Sequence, residues 1–128
     1  MNTKNLIKLV QEEQQTRIMS YGELLDQLKE VQAEFLPCMD KMNATNWKDK
    51  TYYKSYKDLK ILYSYDTALA CFNTATMQLT KLYDGYSFTS QRHLNSFLKL
   101  LKGYQTPNMR KQDWLSLDTT PIYKTLEI

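Results

Sequence analysis

Glycine and proline are scarce in this chain, three of each in 128 residues. With so few glycines there is no glycine-rich loop to cradle a phosphate. Histidine is scarcer still: His93 stands alone. The two cysteines, Cys38 and Cys71, form no C-x-x-C pair and follow no metal-ligand spacing, so a structural zinc site is not expected. They read as free thiols of a reducing cytosol. No nucleophile sits in a strand-turn-helix elbow, and no paired acidic motif marks a metal-dependent nuclease. His93 is the one base on offer to Ser64, Ser87 or Cys71, with Asp66 or Asp84 to orient it. That is little catalytic equipment, and the chain reads as a non-enzyme without cofactor or metal. No apolar run reaches the length of a membrane span. Residues Asn2 to Gln15 lack an apolar core and carry Glu12 and Glu13, unlike a signal peptide. The expected location is the cytoplasm of a bacterial host.

What is abundant is tyrosine, with ten copies. Its apolar ring and polar tip suit half-buried sheets and wet interfaces. Hydrophobic residues make up 42% and charged residues 24%, ordinary for a globular domain. A formal charge of +3 does not by itself announce nucleic-acid binding.

Periodicity sets the elements. Leu6, Ile7, Leu9 and Val10 give a short amphipathic helix over Thr3–Gln15, followed by an extended link at Arg17 to Met19. Ser20 and Glu23 have capping-box spacing, and Leu24, Leu25, Leu28, Val31 and Phe35 follow at helical intervals until Pro37. Pro37 to Lys50 reads as a loop with one helical turn. Leu59 to Tyr65, Ala68 to Phe72 and Met77 to Tyr83 read as strands of a meander, with a polar hairpin at Asn73–Thr76. In the third strand Gln78 and Thr80 share one face, and Leu79, Lys81 and Tyr83 the other. Thr89 or Ser90, with Ser87 in reach, caps a helix bearing Leu94, Phe97, Leu98 and Leu101. Gly103 ends that helix, and Thr106-Pro107 opens a short one carrying Met109, Trp114 and Leu115. The fold class is α+β: a small antiparallel sheet of about three strands, covered on one face by the Gly22–Phe35 and Ser90–Lys102 helices. Residues 1–118 form one domain, and residues 119–128 a loose tail or a strand against a neighbour.

Two stretches draw attention. In the first, Lys48, Lys50, Lys54, Lys57 and Lys60 interleave with Tyr52, Tyr53 and Tyr56. Lysines for phosphates and rings for stacking suit single-stranded nucleic acid; alternation of the same residues also describes a strand with cross-strand aromatic pairs. The second is the knot Tyr83 to His93, where hydroxyls meet Arg92 and His93 at a helix start. It reads as an anion site or, more simply, as a cap with His93 bonded to nearby backbone. Partner contact is assigned to Lys48, Lys50, Tyr52, Tyr53, Lys54, Tyr56, Lys57, Arg92 and His93.

From Tyr63 to Leu101 the chain carries Ser64-Tyr65-Asp66-Thr67-Ala68, then Tyr83-Asp84-Gly85-Tyr86-Ser87-x-Thr89-Ser90-x-Arg92-His93-Leu94. These segments resemble a group of small uncharacterised proteins encoded by phages, plasmids and integrative elements of Gram-positive bacteria. The resemblance implies an accessory protein that binds host or defence machinery. Its most specific form is an anti-CRISPR that blocks a type II effector, Cas9 or its guide-RNA complex, without catalysis. The alternative is a nucleic-acid-binding accessory protein of a phage or plasmid. No catalytic residues come with the likeness.

Overall fold

The computed structural model describes residues 18–36, 50–102 and 108–127. The Thr3–Gln15 helix, the loop up to residue 49 with Cys38 and Lys48, the Gly103 cap and the Thr106-Pro107 start lie outside the described residues.

The chain enters as a strand, β1 (Ile18–Ser20), and turns into helix α1 (Tyr21–Gln27). Ser20 Oγ accepts from the Glu23 amide at 3.1 Å, as the spacing predicts. Glu23 answers by accepting from the Ser20 hydroxyl, not from its backbone amide. The helix is shorter than the Gly22–Phe35 expected. It tightens into a 3₁₀ turn, Leu28–Glu30, and Val31 is already extended. Phe35 belongs to a two-residue strand, β2 (Glu34–Phe35), paired with the next strand. Sheet pairing overrides the helical spacing here, since a strand partner satisfies backbone groups as well as another helical turn would.

Strands β3 (Thr51–Tyr56), β4 (Leu59–Ser64), β5 (Thr67–Asn73) and β6 (Gln78–Lys81) follow as an antiparallel meander. With β2 they form one sheet in the order β2-β3-β4-β5-β6. The sheet thus has five strands, not about three: the Lys-Tyr stretch supplies β3, and β2 adds a short edge. The first two hairpins turn without the usual residues. Lys57, Tyr65 and Asp66 take the left-handed conformation, with φ of 52°, 48° and 68°, at positions where glycine or asparagine is the usual signal. The Asn73–Thr76 connection is as expected, and the Asn73 side chain accepts from the amides of Ala75 and Thr76.

The two faces of the sheet are both covered. Leu62, Ala70 and Phe72 pack on Leu94, Phe97 and Leu98 of helix α2 (Phe88–Lys102), with Trp114 of helix α3 (Lys111–Ser116) closing the cluster. Leu59, Ile61 and Cys71 point the other way, onto Met19, Tyr21, Leu24 and Leu28. The expectation that both main helices share one face is therefore corrected. β4 and β5 alternate apolar side chains on both sides, as central strands buried on two faces do. A bulge at Leu69, where Leu62 pairs with Ala70 but Tyr63 with Ala68, turns Leu69 onto the α2 side as well. The two faces of β6 divide as the sequence predicts: Leu79 packs with the α2 cluster, and Thr80 lines a small cavity on the α1 side.

The C-terminal segment, expected as a loose tail or a strand against a neighbour, returns to its own chain. Strand β7 (Thr125–Glu127) pairs with β1, and Gly22 N–H donates to the Ile122 carbonyl at 2.8 Å. Lys81, almost fully buried, reaches from β6 to the carbonyls of Trp114 and Leu117 at 3.0 and 3.3 Å and lies over the Trp114 ring. This places a cation at the C-terminal end of α3, where its dipole is negative.

Candidate functional site

The sequence places one group of site residues on the Lys-Tyr strand, and the structure disperses it. Tyr52 lies on the α1 side, stacked on Tyr63 at 5.0 Å, and its hydroxyl donates to Asp66. Tyr53 lies on the α2 side, packs against Phe97 and donates to Glu34. Lys54 turns to the α1 side and donates to the Leu28 carbonyl at 2.8 Å, closing the 3₁₀ turn. Lys60 faces the α2 side and reaches Ser55. Tyr56 packs into the α1-side cluster, and Lys57 stands exposed at the turn. Pleating sends neighbouring residues to opposite faces, so lysines and rings adjacent in sequence do not make one surface. Burial, with an acceptor at each hydroxyl, pushes Tyr53 up to about 12 and Tyr52 higher. Both hydroxyls are therefore protonated donors at neutral pH.

His93 lies elsewhere, beneath the start of α2. β4 ends at Ser64 and β5 starts at Thr67; the N-terminus of α2 lies over that end of the sheet. Ser64 Oγ and His93 Nδ1 are 2.8 Å apart across the two elements. The simple expectation that His93 bonds nearby backbone is thus corrected: this ring nitrogen meets a side chain 29 residues away. Burial above all, then the charges of Arg92 and Lys50, lower the His93 pKa to about 4, so the imidazole is neutral at pH 7. Tyr65 sits 5.9 Å from it, ring to ring, and donates its amide to the Lys50 carbonyl.

Above the pair opens a cleft of about 200 Å³ lined by Ser64, Tyr65, Thr67, Leu69, Tyr83, Ser87 and Ser90. All but Leu69 carry a hydroxyl. Ser87 and Ser90 form the cap of α2 reciprocally: each side chain accepts from the other's backbone amide, at 3.0 and 3.1 Å. The cap is therefore Ser87, one of the residues the sequence left in reach. Tyr83 folds back over the turn, where a Cβ on Gly85 would lie 2.5 Å from its hydroxyl. The Gly85 carbonyl in turn accepts from the Trp114 indole at 2.9 Å, tying α3 to this end of the molecule. Outside the cleft Phe88 is 72% exposed, with Arg92 against its ring at 5.8 Å. Tyr65 is 57% exposed although its backbone is left-handed.

The cleft joins the two sequence segments singled out above, Ser64 to Thr67 and Tyr83 to His93. Neither Phe88 nor any of the seven residues lining the cleft was among the assigned partner-contact residues. Leu69 aside, their only signal was membership of those segments.

Ser64 is 5% exposed, and a histidine with a pKa near 4 is a weak base. Asp66 accepts from Tyr52, and Asp84 from Thr119 at 2.9 Å. Burial pushes the Cys71 thiol up to about 12, far from a reactive thiolate. Among the described residues there is no group of three or more His, Cys, Asp or Glu side chains placed to hold a metal, and no helix long and apolar enough to cross a membrane.

A small α+β protein with a hydroxyl-lined, aromatic-rimmed cleft is the class this geometry defines. The chain belongs to the family of unknown function DUF8033, whose model matches residues 36–116. That span takes in β3 to α3 and every residue of the cleft; β1, α1 and β7 fall outside it. No curated protein and no solved structure matches the chain.

Proposed function

We propose that this protein is a non-catalytic binding module of a mobile genetic element, and that it docks on a protein partner through the cleft at the N-terminal end of α2. The observation that carries this is that two exposed rings, Tyr65 and Tyr83, line one concavity, with a third, Phe88, exposed outside it against Arg92. Aromatic residues and arginine dominate the energetic centres of protein interfaces. Each ring also rests on a neighbour: Tyr65 against the His93 ring, Tyr83 over Gly85 and Phe88 against Arg92. Ordered side chains lose little freedom on binding.

The finer reading, inhibition of a type II CRISPR effector, is supported by the resemblance to proteins of mobile elements and by the poverty of catalytic groups. Capture of Cas9 orthologues on the immobilised protein, with a DNA-cleavage assay alongside, tests it. Binding that is lost in Phe88→Ala and Tyr65→Ala supports the reading; no capture and no protection across a broad panel removes the Cas9 assignment. Nucleic acid is a weaker reading, because Lys54 and Lys60 lie on opposite faces of the sheet and Tyr52 and Tyr53 are half-buried. A gel shift at low salt that vanishes at moderate salt would restore it.

A further inference from the structure

Most polar groups around the cleft are already engaged within the chain. Ser64 bonds His93, and Ser87 and Ser90 bond each other through side chains and backbone. The Leu69 carbonyl accepts from the Leu82 and Tyr83 amides at 2.9 and 3.2 Å, and the Tyr65 amide donates to Lys50. The hydroxyls of Tyr65, Thr67 and Tyr83 are different. They bond to no described residue, and all three residues are exposed. What the cleft offers a partner is therefore two tyrosine rings and three hydroxyl donors around about 200 Å³, with no charged side chain in its lining.

That combination selects among the ways a protein can hold a peptide. A strand cannot add here, because β4 and β5 lie inside the sheet and are paired on both edges. An amphipathic helix needs a long apolar groove, and Leu69 is the one aliphatic residue in this lining. A phosphorylated or acidic motif needs arginine or lysine in the lining. A polyproline II segment makes none of these demands. Its backbone has no internal hydrogen bonds, so its carbonyls are open acceptors, and proline brings no N–H in need of a partner. It is uncharged, docks on aromatic side chains and is stiff before it binds, which keeps the entropic cost small.

We infer that the cleft receives a proline from an extended, proline-rich segment of a partner protein. The Tyr65 and Tyr83 rings supply the apolar contact, and the hydroxyls of Tyr65, Thr67 and Tyr83 donate to the segment's carbonyls. The inference rests on the reading of the same cleft as a protein-docking site, and it adds the chemistry of the partner.

An NMR titration of the labelled 128-residue chain tests it through the backbone amides of Tyr65, Thr67 and Tyr83. The probes are a capped decaproline, a glycine-serine peptide of equal length and a thymidine decanucleotide. Decaproline is expected to shift these three amides saturably, and the glycine-serine peptide to leave them unmoved. Affinity should fall about tenfold or more in Tyr83→Ala. Tyr65→Phe/Tyr83→Phe keeps both rings and removes two donors, so a loss of about threefold or more is expected there. The phenylalanine pair decides if Tyr83→Ala does not fold. No saturable shift with decaproline, an equal shift with the glycine-serine peptide, or unchanged affinity in the variants overturns the inference. So does preference for the oligonucleotide, which would reassign the rings to base stacking. Failure here is separable from failure of the docking site. If a captured partner is lost in Tyr65→Ala while decaproline leaves the three amides unmoved, the docking surface stands and its proline anchor does not.

Discussion

Tyr65 holds a backbone conformation against its own preference. Its φ of 48° is a conformation that costs a non-glycine residue about 1–2 kcal/mol. Strain of this kind gathers where a side chain is wanted in a set place. Tyr65→Gly is therefore expected to leave stability within about 1 kcal/mol of the parent, because relief of strain offsets the greater freedom of the unfolded chain. Capture of the protein partner should nevertheless weaken. A thermal melt beside a pull-down reads both. Ser64 and His93 make the complementary case, a polar pair in the interior. Ser64→Ala takes a hydrogen-bond partner from a fully buried ring nitrogen and should cost about 1–3 kcal/mol. Replacing both, as Ser64→Ala/His93→Leu, should cost less than the sum of the two single changes, since no polar group is left stranded. Urea denaturation of the four proteins of this cycle gives the coupling.

Among the elements, α3 is attached through a few specific contacts. It has six residues, too few to be stable alone, and it is held by Trp114 in the core and by Lys81 beneath its C-terminal carbonyls. Lys81→Met keeps the buried stem and removes the donor. The expected cost is about 1–3 kcal/mol, with faster hydrogen exchange at residues 111–117 than in the sheet, as local opening would give. The effect should reach the cleft, because the Trp114 indole holds the Gly85 carbonyl on the turn beneath Tyr83. Helix α2 is anchored differently, by Leu94, Phe97 and Leu98 against the sheet. That stripe was legible because its period is local. Strand β3 was less so, because its turn into β4 at Lys57 carries no glycine.

For the whole molecule, one titrating group sets a distinctive pH dependence. His93 is neutral in the folded protein down to a pKa of about 4, while in the unfolded chain it takes up a proton near 6.5. Between those values the unfolded state binds more protons, so stability is full above about pH 6.5 and is lost as the pH falls towards 4. The loss from this residue amounts to about 3 kcal/mol. His93→Gln should flatten the dependence between pH 6.5 and 4.5, a result urea denaturation at several pH values would show.

The sequence by itself determined the α+β class, the Ser20 cap, the Leu94–Leu98 stripe and the Asn73–Thr76 hairpin, and it carries in two separate segments, Ser64 to Thr67 and Tyr83 to His93, the residues that meet at the cleft. Each is written in neighbours along the chain: a spacing, a turn residue, an alternation. Tertiary structure decided what distance along the chain conceals. It put α1 and α2 on opposite faces of the sheet and ended α1 early so that Phe35 could join a strand. It drew the last residues back onto β1. It parted Lys54 from Lys60 by the pleat of one hairpin, and it brought Ser64 to His93. A site made of side chains from two elements exists only once sheet register and helix packing have placed them, so its ingredients were visible in the sequence and its geometry was not.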